Sequence, residues 1–374
     1  MSALGETASS VADPRFGTGP PFTVGVEEEY MLLDPESFEL VAGIEGLLNA
    51  RESGLTPEFF ESLLETHTPV CRDLGEVHRE LRRLRAHVAE ATDAQRLRFG
   101  AAGTHPFSLY EEQRITRRDR YRGIADELQY VARRELIFGL HVHVGVGSPE
   151  SAITVVRGLS LHLAELIALA ASSPLWRGRP TGLASTRAEI VAGHTRAGPP
   201  PPLRDYEEFA TVVGSLEASG CLADYTQIWW DVRPHPRLGT VETRVMDAVS
   251  SLDDAVALAA YIQCLVYHYA GAEVQPRHPL LIAENRWRGL RWGLEAEVLD
   301  LDDDPPHRIP VERLIRRRLR GLAGAAQDLG CEAELDFVNR ILERGNGAQR
   351  QLLVYGANRD PVEVARDIAE ITAG

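Results

Sequence analysis

Thr23-Val24-Gly25-Val26-Glu27-Glu28-Glu29-Tyr30-Met31-Leu32-Leu33 is the stretch from which the fold and the site can both be approached. Its apolar, β-branched character predicts a strand over Phe22–Leu33. Side chains alternate across a strand, so Glu27 and Glu29 share one face with Gly25, and Glu28 shares the other with Val24 and Val26. Two carboxylates on one face of an apolar strand repel each other. Burial raises both pKa values unless a cation lies between them. A divalent cation resolves the conflict, and carboxylate ligands favour Mg²⁺ or Mn²⁺. An exposed edge strand with acidic gatekeepers carries the same pattern, and these residues alone leave both readings open.

Further strands are expected at Arg98–Gly103, Leu136–Val146, Thr226–Arg233 and Thr240–Asp247. The last two flank Pro234-His235-Pro236-Arg237-Leu238-Gly239, whose prolines and glycine force a turn, so the pair reads as antiparallel. In Gly139-Leu140-His141-Val142-His143-Val144-Gly145 the two histidines share a face, which suits metal binding and equally suits two packed, hydrogen-bonded rings. The H-x-H pattern also occurs in metal-dependent amidohydrolases, where the metal activates water. In Val241-Glu242-Thr243-Arg244-Val245, Glu242 and Arg244 share a face and could supply one metal ligand and one anion clamp, or a surface ion pair. Glu65 is a weaker candidate by itself. Arg187, Arg196, Arg233, Arg244 and Arg286 are candidates for an anionic substrate. Of the neighbours Trp229 and Trp230, one is expected in the core.

The 374 residues carry a formal net charge of −15, with 44% hydrophobic and 25% charged residues. This fits a soluble globular chain and argues against a general nucleic-acid binder. No unbroken apolar run suggests a membrane span, and the N-terminus does not read as a signal peptide. The four cysteines are scattered without metal or redox spacing, so reduced thiols in a cytoplasmic protein are expected. All 40 basic residues are arginine. Without lysine there is no Walker-A phosphate grip and no Schiff-base chemistry, so phosphate handling would fall to arginine, metal ions and backbone N–H groups.

Residues 1–20, rich in Ser, Ala, Gly and Pro, are expected to form a flexible arm, and 21–374 a single catalytic domain. Leu74, Val77, Leu81, Leu84 and Val88 recur at steps of three and four behind Asp73, predicting an amphipathic helix. Leu159–Ala171 and Ala255–Gly271 are apolar nearly all round and read as buried helices, the second with Asp253 and Asp254 as caps. Val311–Leu329 carries Arg313, Arg316, Arg317, Arg318 and Arg320 on its wet side. Asp360-Pro361 opens a last helix. Ala197–Leu203, with four consecutive prolines, is a stiff loop, and Asp300–Pro310 an exposed one. Separated strands with a hairpin and long intervening helices indicate α+β.

Taken in order, Thr23–Tyr30 (TVGVEEEY), Glu65–Cys71 (ETHTPVC), Gly103–Phe107 (GTHPF), Gly139–Val146 (GLHVHVGV), Ser173–Arg179 (SPLWRGR), Trp229–Pro236 (WWDVRPHP), Gly239–Asp247 (GTVETRVMD) and Glu284–Arg288 (ENRWR) resemble the type-2 glutamate–cysteine ligase family, the YbdK-like carboxylate–amine ligases. The resemblance runs from about residue 22 to the C-terminus. It implies a glutamine-synthetase-like fold, a curved and mainly antiparallel sheet forming a funnel with helices outside. It implies ATP as co-substrate and Mg²⁺ (or Mn²⁺) on Glu27, Glu29, Glu65 and Glu242 with His141 nearby, and we extend this set to His143. Arg244 would face the phosphoryl group or the acid, with Arg233 and Arg187 as further anion contacts. Arg196, Asn285 and Arg286 are expected at the nucleotide. Leu183 and Thr186, the prolines after Ala197, and His67 depart from the family pattern around the substrate pocket.

The reaction so implied activates a glutamate-like carboxylate as an acyl phosphate and passes it to an amine, with no protein nucleophile. Weak glutamate–cysteine ligase activity would fit. The alternatives are amide (isopeptide-type) hydrolysis on the same fold and nucleotide binding without turnover. A homodimer is the expectation for assembly.

Overall fold

Residues 9–48 and 54–374 are described in the computed structural model. Seven strands form one sheet: β1 (Val24–Leu33), β2 (Leu55–Pro57), β3 (Leu63–His67), β4 (Arg98–Gly100), β5 (Gly139–Gly145), β6 (Val232–His235) and β7 (Thr240–Asp247). Their order is β6-β7-β5-β1-β3-β2, with β4 beside the end of β1. Every pairing in it is antiparallel. The α+β class and the mainly antiparallel sheet expected from the sequence are both present, and the sheet is open.

The alternation read in β1 repeats across the sheet and sorts it into two faces. Val24, Val26, Leu140, Val142, Val144 and Val241 are buried at 2% exposure or less. They pack with helices α1 (Leu74–Ala94), α2 (Pro149–Leu159), α3 (Leu163–Ala170) and α5 (Leu252–Ala270). Between α3 and α5 in sequence lies the short helix α4 (Thr186–Val191). Glu28 also points to the apolar face. There Arg85 of α1 meets it at 2.5 Å, Tyr30 donates its hydroxyl, and Arg85 closes on the carbonyls of Val249 and Ser250. A buried carboxylate is tolerable only because it is paired and fully hydrogen-bonded.

Local signals in α1 are realised. Asp73 accepts from Glu76 N at 2.7 Å, and the expected apolar stripe is buried. Asp360 caps the last helix with Pro361 in its first turn. Other expectations shift. The strand expected over Thr226–Arg233 is broken: Tyr225–Gln227 is a 3₁₀ turn held by Asp224, and Trp229–Trp230 pairs parallel to Ala197–Gly198. Ser251, not Asp253 or Asp254, caps α5, because the aspartates already lie in its first turn. The apolar run over Leu159–Ala171 belongs to two helices joined by a 3₁₀ turn. The whole helical stretch, Pro149–Ala170, is long and apolar enough to cross a membrane by composition, yet its most apolar window is 83% buried inside the protein. Arg318 turns inward to Asp302 and Glu165 instead of facing solvent.

Residues 1–8 of the expected arm lie outside the described residues. Residues 9–20 are not loose. Val11 is fully buried beside Phe209 and Val213, Phe16 joins the main core, and Ser9 and Ser10 bind Glu217.

Candidate active site

The polar face of the sheet collects the acidic and imidazole side chains by strand register. Glu27 stands opposite His141, Glu29 opposite Glu65, and Glu242 opposite both His143 and Arg233. His141 Nδ1 lies 3.1 Å from Glu27, and His143 Nε2 lies 3.3 Å from the other oxygen of Glu27 and 4.0 Å from Glu242. Two groups of ligand atoms, Glu27–His143–Glu242 and Glu27–Glu65–His141, each fall within 4.8 Å of one another, and Glu27 is common to both. Glu29 flanks the second group, 3.9 Å from His141 Nε2, and accepts from Gly139 N at 2.6 Å.

Electrostatics set these groups apart. Burial would raise Glu27, but His143 and His141 overcome it and hold the carboxyl well below the usual range. Glu242 is likewise buried yet held low by Arg233 and Arg244. Burial, with Glu27, Glu58 and Glu29 close by, pushes Glu65 well up. Burial raises Glu29 despite Arg187. Burial and then Arg244 lower His141 to about 4, so it is a neutral ring with a free lone pair. Burial opposes a proton on His143, but Glu27 and Glu242 outweigh it and raise its pKa, so a cation bound there competes with protons for the ring. The Nε2 atoms of both histidines are buried without a hydrogen-bond partner among the described residues. Orphaned imidazole nitrogens facing clustered carboxylates fit a divalent cation.

The arginines differ in their freedom. Arg233 is spent on Glu242 at 2.7 Å and on the carbonyls of Thr226 and Ile228, so it orients a ligand and has little left for substrate. Arg244 also pairs with Glu242 but stays partly open. The register of β7 slips between Thr243 and Met246, and this bulge brings both Arg244 and Val245 to the pocket wall. Arg187, on α4, has its Nε buried and without a hydrogen-bond partner among the described residues. Its backbone is held by Ser173 Oγ, itself bonded to Asp247, which also takes Ser172 N and Ser185 Oγ. Gly139 makes room for Arg187: a Cβ there would lie 2.9 Å from the guanidinium carbon and from His141 Nε2.

The row of acids and histidines lies between two pockets. On one side Glu29 and His141 border a charged pocket with Glu58, Glu135, Arg187, Arg244 and Trp229. On the other, Glu27 and His143 border a pocket of about 260 Å³ walled by Gly17, Gly25, Val70 and Leu238. Residues of the expected arm thus line the second pocket.

The three residues expected at the nucleotide each hold a partner within the chain. Asn285 gives both amide atoms to the backbone of Leu299, at 2.8 and 2.7 Å, and joins a helix to a hairpin. Arg196 covers the ring of Trp229 and binds the carbonyls of Gln227 and Cys221. Arg286 reaches the charged pocket but grips Asp231 at 2.6 Å. None of the three borders the glycine-walled pocket. The expectation of one core tryptophan also fails, for both are half-buried. Glu58, Glu135 and Asp231 were not anticipated. Burial and then Glu29 bring Glu58 to about 7.

Residues 23–368 match glutamate–cysteine ligase family 2. A Rubrobacter xylanophilus protein named "Putative glutamate–cysteine ligase 2-1" is 42% identical over 94% of this chain and 95% of its own. At the level of fold, the Francisella tularensis glutamate–cysteine ligase solved with AMP superposes with a TM-score of 0.70, at 13% identity over 95% of this chain and 89% of that one. The ligase PafA, solved with the ubiquitin-like protein Pup, gives 0.55 at 11% identity over 97% and 74%. The chain is a member of glutamate–cysteine ligase family 2, a family of carbon–nitrogen ligases.

Proposed function

We propose that this protein is an ATP- and Mg²⁺-dependent carboxylate–amine ligase that activates its acid as an acyl phosphate. The supporting observation is the ligand row of Glu27, Glu65, His141, His143 and Glu242 placed between a charged pocket and a glycine-walled one. The arginine side suits the acid, and the less charged side suits the nucleotide, whose γ-phosphate would then lie over the row. A divalent cation held there would neutralise the phosphates and the charge that spreads during phosphoryl transfer.

The chain's own residues do the rest. Arg187 and Arg244 hold the carboxylate in line with the γ-phosphorus. A carboxylate oxygen bonds to that phosphorus as its bond to the ADP oxygen breaks. The amine nitrogen then attacks the acyl carbon, phosphate leaves, and Glu58 is placed to take the amine proton, with a pKa near the working pH. No protein nucleophile is required. Within this reading a glutamate-like acid fits the mixed charges of the pocket, the catalyst is a cytoplasmic enzyme, and assembly as a homodimer is compatible with it.

The test is incubation with ATP, Mg²⁺ and pooled amino acids and amines, with nucleotides and new amides quantified together. ADP, phosphate and amide should appear in equal amounts. AMP with pyrophosphate, or amide cleavage without ATP, would overturn the proposal.

A further inference from the structure

A third concave feature plays no part in the reaction above. Between α2, the prolines Pro199–Pro202, Trp230 and the start of the helix Pro279–Trp292 lies a cavity of about 580 Å³. That is the size of small-molecule sites. Its walls are apolar, with Ile153, Val156, Leu161 and Ile282 among them. Among the described residues the charged side chains that line it are Arg157 and Arg277, with no carboxylate. Among the described residues neither forms an ion pair. Arg157 donates to the carbonyls of Val274, Leu203 and Arg204, and Arg277 to that of Asp302. Two cations without counter-charges at an apolar groove stand out in a chain of net charge −15. The proline wall is stiff and offers no N–H donors, so it is a preformed apolar surface. Arg157 fixes its far end.

We infer that this groove binds a small amphipathic anion, with its apolar body against the prolines and Trp230 and its carboxylate head at Arg277, on a wall that Arg157 braces. The groove shares a wall with the active site. Trp229 lines the charged pocket, Trp230 lines the groove, and Asp231 between them and β6 grips Arg286. Backbone bonds from Trp229 N to Arg196 O and from Asp231 N to Gly198 O tie this segment to the residues just before the prolines. An occupant is thus placed to bear on the substrate pocket. The binding itself does not depend on the ligase reading.

Calorimetric titration of the full chain with octanoate, 1-octanol and octylamine tests it. One saturable site for octanoate is expected, with affinity at least about tenfold above that of the neutral and cationic analogues, as a head group on arginine requires. Arg277→Gln should weaken octanoate about fivefold or more and leave octanol unchanged. Ala283→Trp, at an exposed rim position, should fill the groove and abolish binding while the melting temperature is kept. No saturable binding up to about 10 mM, equal affinity for octanol, or unchanged affinity in both variants would overturn the inference.

Discussion

Glu27→Gln is the substitution that bears most directly on the site. Its carboxylate belongs to both groups of ligand atoms, so the change removes one negative charge from each without altering size. At an effective dielectric near 20, a unit charge and a divalent ion about 4 Å apart interact by roughly 8 kcal/mol. The amide keeps one ligand oxygen and water fills the other position, so about a third of this, roughly 2.7 kcal/mol, is a fair lower figure for the loss. That corresponds to about 100-fold weaker Mg²⁺ binding. Melting with and without Mg²⁺ reads it out. At about 100 times its dissociation constant, Mg²⁺ adds about 2.7 kcal/mol to the wild type. At about 2.1 cal/mol/K of unfolding entropy per residue, this is a rise of roughly 3–4 °C for a chain of this length. The variant should lose that rise and ATP-dependent turnover together while keeping the melting temperature of the metal-free protein to within about 2 °C. A variant with the full Mg²⁺-induced rise would show that Glu27 is no ligand and would remove the basis for both groups.

Three further outcomes follow from the same structure. Glu28→Gln, next door but on the other face, strands Arg85 in the core. It should cost about 3–5 kcal/mol of stability and leave the Mg²⁺-induced rise in melting temperature unchanged. Asn285→Ala should destabilise by about 1–3 kcal/mol through its two lost bonds to Leu299, with the KM for ATP within about twofold of wild type. Burial holds His105 down to about 4, its Nε2–H donating to Phe38 O while Nδ1 accepts from Phe107 N and Ser108 N. Its folded pKa lies below the unfolded value of about 6.5, so its contribution is complete above that pH and is lost as pH falls towards 4. The loss is about 3 kcal/mol by denaturant titration, and His105→Gln should flatten that pH dependence.

The sequence by itself determined which side chains share a face. Strand alternation is a local property, and it separated Glu27 and Glu29 from Glu28, joined His141 to His143, and joined Glu242 to Arg244 before any strand was paired. It likewise located the stripe of α1 and the caps at Asp73 and Asp360, whose partners lie within four residues. The family resemblance rested on such short segments. Tertiary structure alone decided which faces meet. Register across four strands brings Glu27, Glu65, His141 and Glu242 together from positions as much as 215 residues apart, and no local pattern encodes an offset between strands. The bulge after Thr243, the loop that carries Glu58 and the short helix that presents Arg187 are set by packing. The same holds for the partners of Asn285, Arg196 and Arg286. A polar side chain in a motif looks available in sequence, and only the folded chain shows that Leu299, Gln227 and Asp231 already occupy it.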